Sequence, residues 1–272
     1  MKYDSILYEE QGEIGILTLN MPEKRNALGH HAETEITECL QDAAKRHDVK
    51  VIILKANGPV FCAGHDRAEI LNQPIANIRR LFQTSFNLMG AIRNVPQCVI
   101  AEVHAIAMAG GCHLAAGCDL ITAGKENAKF GMTGLIYSYN CTTPTVAVSR
   151  AVGQKKCMEM LMTADLYSAQ ESLEMGLINK VYDDEQLHEK TMELAKHICK
   201  SSKYAIYMSK QNFYAQVEMT EPQAYVFAKE MMAQQGISVN ATEGFTAFIE
   251  KRDPVWNNDT LEYAPGISQS EP

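Results

Sequence analysis

Two short glycine turns, each set just beyond an apolar strand-like run, constrain this chain more than any other feature. The first lies in Val60-Phe61-Cys62-Ala63-Gly64-His65-Asp66, after the run Val51-Ile52-Ile53-Leu54-Lys55-Ala56. The second, Ala109-Gly110-Gly111-Cys112-His113, follows the apolar run 99–107 and opens a helix expected from 110 to about 117. Each turn presents backbone N–H groups just past a strand end, and the second adds a helix N-terminus, whose first N–H groups have no intrahelical partner. Two such donors aimed at one point make an oxyanion hole, which stabilises a carbonyl oxygen as it gains charge. Taken singly, each turn also reads as a tight connection.

Further strand-like runs at 14–20, 119–123 and 177–182 alternate with helical patterns, which argues for parallel β-structure with crossover helices. In the helix expected over 31–47, Ile36, Leu40, Ala43 and Ala44 form the apolar face, with Glu33, Glu35, Glu38 and Lys45 elsewhere. Ser168-Ala169-Gln170-Glu171 is a capping box, and Gly176 ends the helix it starts. From about Glu185 onward only helices are expected, over 185–200, 203–217, 221–235 and 241–252, the last starting at Asn240 with Glu243. This division predicts an α/β body over 1–200, a helical region over 201–256 and a disordered tail over 257–272. The late helices carry Met208, Met219, Met231 and Met232, more apolar surface than one small body buries. They are an expected oligomer surface, or else they simply cover the sheet.

A net charge of −8 argues against a nucleic-acid surface, and it does not attract a polyanion. Any phosphate binding must come from local Lys, Arg and N–H groups. The eight cysteines, at 39, 62, 98, 112, 118, 141, 157 and 199, form no CxxC pair, which suits reduced thiols and leaves no metal site expected. Met1-Lys2-Tyr3-Asp4-Ser5 lacks the apolar core of a signal peptide and the Arg/Ser-rich character of a transit peptide. No apolar run approaches the ~20 residues of a membrane span. The expected location is the cytoplasm, with no membrane partner.

The turns sit in a longer pattern. Ile16-Leu17-Thr18-Leu19-Asn20-Met21-Pro22-Glu23-Lys24-Arg25-Asn26-Ala27-Leu28 comes first, then Phe61-Cys62-Ala63-Gly64, Ala109-Gly110-Gly111-Cys112 and Cys118-Asp119-Leu120-Ile121-Thr122-Ala123. Gly176-Leu177-Ile178 and Glu243-Gly244-Phe245-Thr246-Ala247-Phe248-Ile249-Glu250-Lys251-Arg252 complete it. From about Ile6 to Trp256 the chain resembles the crotonase (enoyl-CoA hydratase/isomerase) superfamily. Two details, the Gly64-His65-Asp66 turn and the ending Lys251-Arg252-Asp253-Pro254-Val255-Trp256, look most like one subgroup of it. The resemblance implies an α/β fold with a crotonase-like ββα spiral core and a C-terminal helical trimerisation region. It also implies a homotrimer or a dimer of trimers, and an acyl-CoA thioester as partner. No separate cofactor is expected, because coenzyme A is part of the substrate.

By the same resemblance, the thioester carbonyl lies between the N–H of His65 and the N–H of Gly110. Lys24, Arg25 and Ala27 stand near the CoA nucleotide and pantetheine, and Ala63, Asp66, Gly111 and Gly134 complete the substrate contacts. Small residues at 109–111 let the thioester approach the backbone. The departures matter as much. Two glutamates serve hydration in this family, and their positions here hold His113 and Gly134. Adding water across a double bond needs both a base and an acid. His113 is the expected base, suited to double-bond migration, another enolate-forming step or thioester hydrolysis, whereas Gly134 supplies no group. The stretch Tyr137-Ser138-Tyr139-Asn140-Cys141 contains no carboxylate, though Tyr137, Tyr139 and Cys141 are further proton-handling candidates. The His65 ring is expected to pair with Asp66, His104 to be a satisfied core histidine, and His30 and His31 to be exposed. A mobile segment around 70–90 is expected to line the acyl pocket. The competing expectation is a binding protein without turnover.

Overall fold

The computed structural model describes residues 3–257. Its elements run in the order β1 (Ile6–Gln11), β2 (Ile14–Leu19), α1 (His30–Ala44), β3 (Val51–Ala56), α2 (Ile75–Asn94), β4 (Cys98–Val103), β5 (Ala107–Met108) and α3 (Gly110–Gly117). Then follow β6 (Leu120–Gly124), β7 (Lys129–Gly131), α4 (Thr142–Val152), α5 (Gln154–Thr163), β8 (Tyr167–Ser168), α6 (Ala169–Glu174) and β9 (Lys180–Tyr182). The chain closes with α7 (Leu187–Cys199), α8 (Lys203–Gln216), α9 (Glu221–Gly236) and α10 (Val239–Glu250).

Six strands form one sheet in the order β1-β2-β3-β4-β6-β9, antiparallel only between β1 and β2. Its central strands are buried on both faces, as the unbroken apolar runs require. The period of two sends Ile52 and Leu54 to the core under α1 and α2, and Val51 and Ile53 to the opposite face. There they pack with Met192, Ala195 and Cys199 of α7. A second, three-stranded sheet, β5-β7-β8, stands beside the first.

The expected strand over 99–107 is two strands. The chain leaves the main sheet at Val103 and joins the small one at Ala107. His104, in the link between them, is only partly buried, and its Nε2 lies 2.8 Å from the carbonyl of Gly58. The strand expected over 177–182 is confined to Lys180–Tyr182, because Leu177 and Ile178 bond back to Ser172 of α6. The Ser168 capping box forms as expected. The final helix is capped by Ser238 rather than Asn240, since the Ser238 hydroxyl accepts from Ala241 N. Asn240 is instead buried, exchanging two hydrogen bonds with the backbone of Asn257. The expected disordered tail otherwise lies outside the described residues.

Segment 70–90 is not a loose strap. Most of it belongs to α2, which buries Leu81, Ser85, Leu88 and Ile92 along one stripe at helical spacing. The apolar surplus of the late helices is real. No residue of α9 is buried, and Phe213, Tyr225, Val226, Met232, Phe245 and Phe248 are exposed. The region is nonetheless tied to the body, because Lys210 of α8 reaches Asp119 (2.7 Å) and the carbonyls of Ile92 and Gln97.

Candidate active site

The two glycine turns meet. Leu28 N donates to Gly64 O and Asp66 N to Leu28 O (both 2.8 Å), so the flanking residues make the bridge and the N–H of His65 faces away from it. On the other side, Phe61 N donates to Ile106 O and Met108 N to Cys62 O, which sews the first turn to β5. Gly64 has φ +93°, and a Cβ there would stand 3.1 Å from Ala109 Cβ, Gly110 N and Met108 O. Only a glycine allows this approach. Ala109 carries the backbone into α3 at φ 50° and ψ −115°, a strained entry that turns the first N–H of the helix, that of Gly110, outward. A Cβ on Gly110 would lie 3.1 Å from His65 N, so the backbone nitrogens of the two turns are close neighbours. The smallness of 110 and 111 therefore has a reason beyond ligand access. A Cβ on Gly111 would run into the backbone of Cys62, and one on Gly110 into the His65 ring.

Beside these N–H groups opens a cavity of about 630 Å³. Ala63, His65 and Gly110 form its floor, Ile70, Leu71 and Phe82 an apolar wall, and Gly134 with the loop 137–144 the opposite wall. Arg67 lies over the Tyr137 ring, 5.2 Å from its centre. Among the described residues that line the cavity, none is Asp or Glu. Cys141 is buried and its thiol is pushed up by burial, as is the Tyr139 hydroxyl. Lys24 and Arg25 are exposed on the turn before α1, which Ala63 N joins through Arg25 O (3.0 Å). Neither they nor Ala27 lines the cavity.

Several expected roles change. The His65 ring does not pair with Asp66, whose carboxylate accepts from Ala68 N (2.9 Å) to cap its own turn. It turns inward instead, with Nε2 2.9 Å from Ser85 Oγ and 3.5 Å from Glu33 Oε1, while Phe82 packs edge-on against it. Glu33, expected off the apolar face of α1, is 1% exposed. The spacing 33–36–40–43 already placed it on the buried stripe. Gly134 has no room for a side chain, because a Cβ there would strike Tyr139 O and sit 2.9 Å from Cys141 Sγ. His30 is half-buried against Thr84 Oγ1 (2.7 Å), while His31 is exposed. One trio of metal-ligand types occurs among the described residues, Asp4, His31 and Glu35. It is no part of the cavity, and the Glu35 carboxylate is engaged by the N–H groups of Asp4 and Ser5.

His113 stands behind the cavity wall rather than on it, 7% exposed. Burial first, then the His65 ring and the Arg93 guanidinium, push it down to about 4, so it is neutral at pH 7. Between an unfolded value of about 6.5 and a folded value of about 4, the unfolded chain holds the extra proton. Stability is therefore full above about 6.5 and falls as pH drops towards 4, by about 3 kcal/mol from this ring. Urea unfolding across this range is expected to show that increment lost in His113→Leu relative to the parent chain. An unchanged acid slope in the variant would remove the assignment.

Known proteins resemble this chain over most of its length. Residues 9–259 match the family model for enoyl-CoA hydratase/isomerase. The zebrafish (Danio rerio) protein named enoyl-CoA hydratase domain-containing protein 3, mitochondrial, is 38% identical over 93% of this chain and 87% of its own length. Its human counterpart is 37% identical over 90% and 81%. A crystal structure of the human protein superimposes with a TM-score of 0.90 at 36% identity, covering 93% of this chain and all of that one. An enoyl-CoA hydratase structure from Mycobacterium smegmatis matches equally well, at 36% identity and TM-score 0.90 over 93% and 99%. The chain belongs to the enoyl-CoA hydratase/isomerase family and has the crotonase fold. Within that family it is similar to proteins of the domain-containing protein 3 group, as the turn at 64–66 and the ending at 251–256 suggested.

These relatives overturn the cytoplasmic expectation, because the zebrafish, mouse and human proteins are all named mitochondrial. Reduced cysteines, part of the basis of that expectation beside the character of residues 1–5, do not tell one reducing compartment from another. No described helix is long and apolar enough to cross a membrane.

Proposed function

We propose that this chain binds acyl-CoA thioesters and acts on them through an oxyanion hole made by the N–H groups of His65 and Gly110. The pairing of those two N–H groups at the floor of a cavity of about 630 Å³ supports the reading. Lys24 and Arg25, with Ala27, flank the first turn and serve the CoA phosphates and pantetheine as local contacts on a chain of net charge −8. No cofactor beyond the CoA of the substrate enters this reading. Classical hydration is not proposed. A His113 ring held neutral and behind the wall is a weak base.

A second reading, binding without turnover, draws on the lack of a carboxylate in the lining. A panel of enoyl- and acyl-CoAs separates the two when thioester loss and enoyl absorbance are followed together. The exposed apolar residues of α8, α9 and α10 support self-association as a trimer, alone or paired into a hexamer. One experiment addresses ligand and assembly together, sedimentation velocity with butyryl-CoA read at the adenine band. Adenine absorbance is expected to travel with a trimer or hexamer, and free butyrate is expected not to displace it. A monomer, or adenine left unbound across acyl chain lengths, would count against the corresponding half.

A further inference from the structure

The cavity holds one imidazole, and a buried relay stands behind it. Ser85 Oγ lies 2.6 Å from Glu33 Oε1 and 2.9 Å from His65 Nε2. The serine hydroxyl donates to Glu33, so its single proton is spent there and Oγ accepts from Nε2–H. The ring then carries its lone pair on Nδ1. A Cβ on Gly110 would stand 2.8 Å from that nitrogen, so Nδ1 faces the oxyanion turn. Glu33 is fully enclosed, its Oε2 has no hydrogen-bond partner, and its ion-pair neighbour is His65. A buried carboxylate is costly unless a charge compensates it. The His65 ring, 3.5 Å away, is the group placed to compensate it. This is the division of labour of a Ser-His-Asp triad, with the acid orienting the ring and stabilising the imidazolium, and with a serine inserted between acid and histidine.

We propose that the His65 imidazole is the catalytic base, taking and returning the α-proton of an acyl-CoA at Nδ1, and that Glu33 and Ser85 are its positioning residues. The proposal rests on the acyl-CoA reading above. In the step, the Cα–H bond breaks and an N–H bond forms at Nδ1. The electron pair moves into the carbonyl oxygen, and the enolate is held by the N–H groups of His65 and Gly110. Reversal returns the proton, and in D2O it returns a deuteron, so no other reactant is needed. The titratable groups facing the ring are Glu33 from α1 and His113 from α3, while Arg67, Tyr137, Tyr139 and Cys141 line the same cavity. Cys62 lies beside Glu33.

The test is deuterium uptake at Cα of butyryl-CoA in D2O, followed by mass spectrometry between about pH 5 and 9, with binding measured in parallel by calorimetry. His65→Ala keeps the backbone N–H and is expected to bind butyryl-CoA while exchange falls about 10²–10⁴-fold. Glu33→Gln is expected to keep butyryl-CoA binding while exchange slows, with Glu33→Asp restoring part of the rate. Ser85→Ala gives a second reading if Glu33→Gln is unstable. Nitrogen-15 spectra are expected to show the neutral His65 ring protonated on Nε2. Exchange in His65→Ala within about threefold of the parent, bound butyryl-CoA without exchange, or an Nδ1–H tautomer would each overturn the proposal. Failure of the parent chain to bind butyryl-CoA would instead remove the acyl-CoA reading, and this proposal with it.

Discussion

Gly110→Pro is expected to lower any thioester turnover by about 10²–10³-fold, the loss typical of one oxyanion donor, or about 3–4 kcal/mol of barrier. Proline suits the first helical position, where the N–H is unpaired anyway. Ala109, however, at φ 50° and ψ −115°, lies outside the extended region a pre-proline residue takes, so the entry to α3 must adjust. What disappears is the donor. The proline ring also brings carbon to within 2.8–2.9 Å of the His65 ring atoms, which must shift. Circular dichroism near that of the parent with a lowered Tm, and turnover lost, would match this account. A variant that turns over substrate at the parental rate would place the carbonyl elsewhere.

Crotonyl-CoA hydration is expected to run far below that of a two-glutamate relative, because loss of a general acid or base costs about 10²–10⁴ in rate. The obvious repair is expected to fail. Gly134→Glu has nowhere to go, since even its Cβ meets the backbone of Tyr139 and the Cys141 sulfur. It should cost stability of about 1–3 kcal/mol by overpacking and restore no hydratase rate. Robust hydration by the parent chain would require a substitute carboxylate. The two nearest candidates in sequence, Asp66 and Glu69, are already committed. Asp66 caps Ala68 N, and both oxygens of Glu69 accept from His30 N at the start of α1 (3.1 and 3.0 Å). Spectrophotometric assay of the parent and Gly134→Glu, with thermal melts of both, decides the point.

Glu33 and Ser85 show where reading the sequence stopped short. Each sits on a regular apolar stripe, Glu33 with Ile36 and Leu40, Ser85 with Leu81 and Leu88. A polar residue on such a stripe signals a buried partner, yet the partners here are 52 residues apart in sequence and lie on different helices. Spacing along one helix cannot reveal that contact. The same holds for His113. Its position three residues into α3 is legible, but whether it enters the cavity or hides behind it depends on packing against Arg93 and His65.

By itself the sequence determined the strand at 51–56, the helix 110–117, the two glycine turns and the family they define. Each of these rests on local periodicity or on a turn that only small residues allow. The tertiary structure alone decided that the run 99–107 divides between two sheets and that Gly134 is closed to any side chain. It alone decided that His65, rather than His113, lines the cavity. These outcomes arise from contacts between segments distant in the chain. A side chain's environment, and so its charge and reach, is set by what packs around it rather than by its neighbours in sequence.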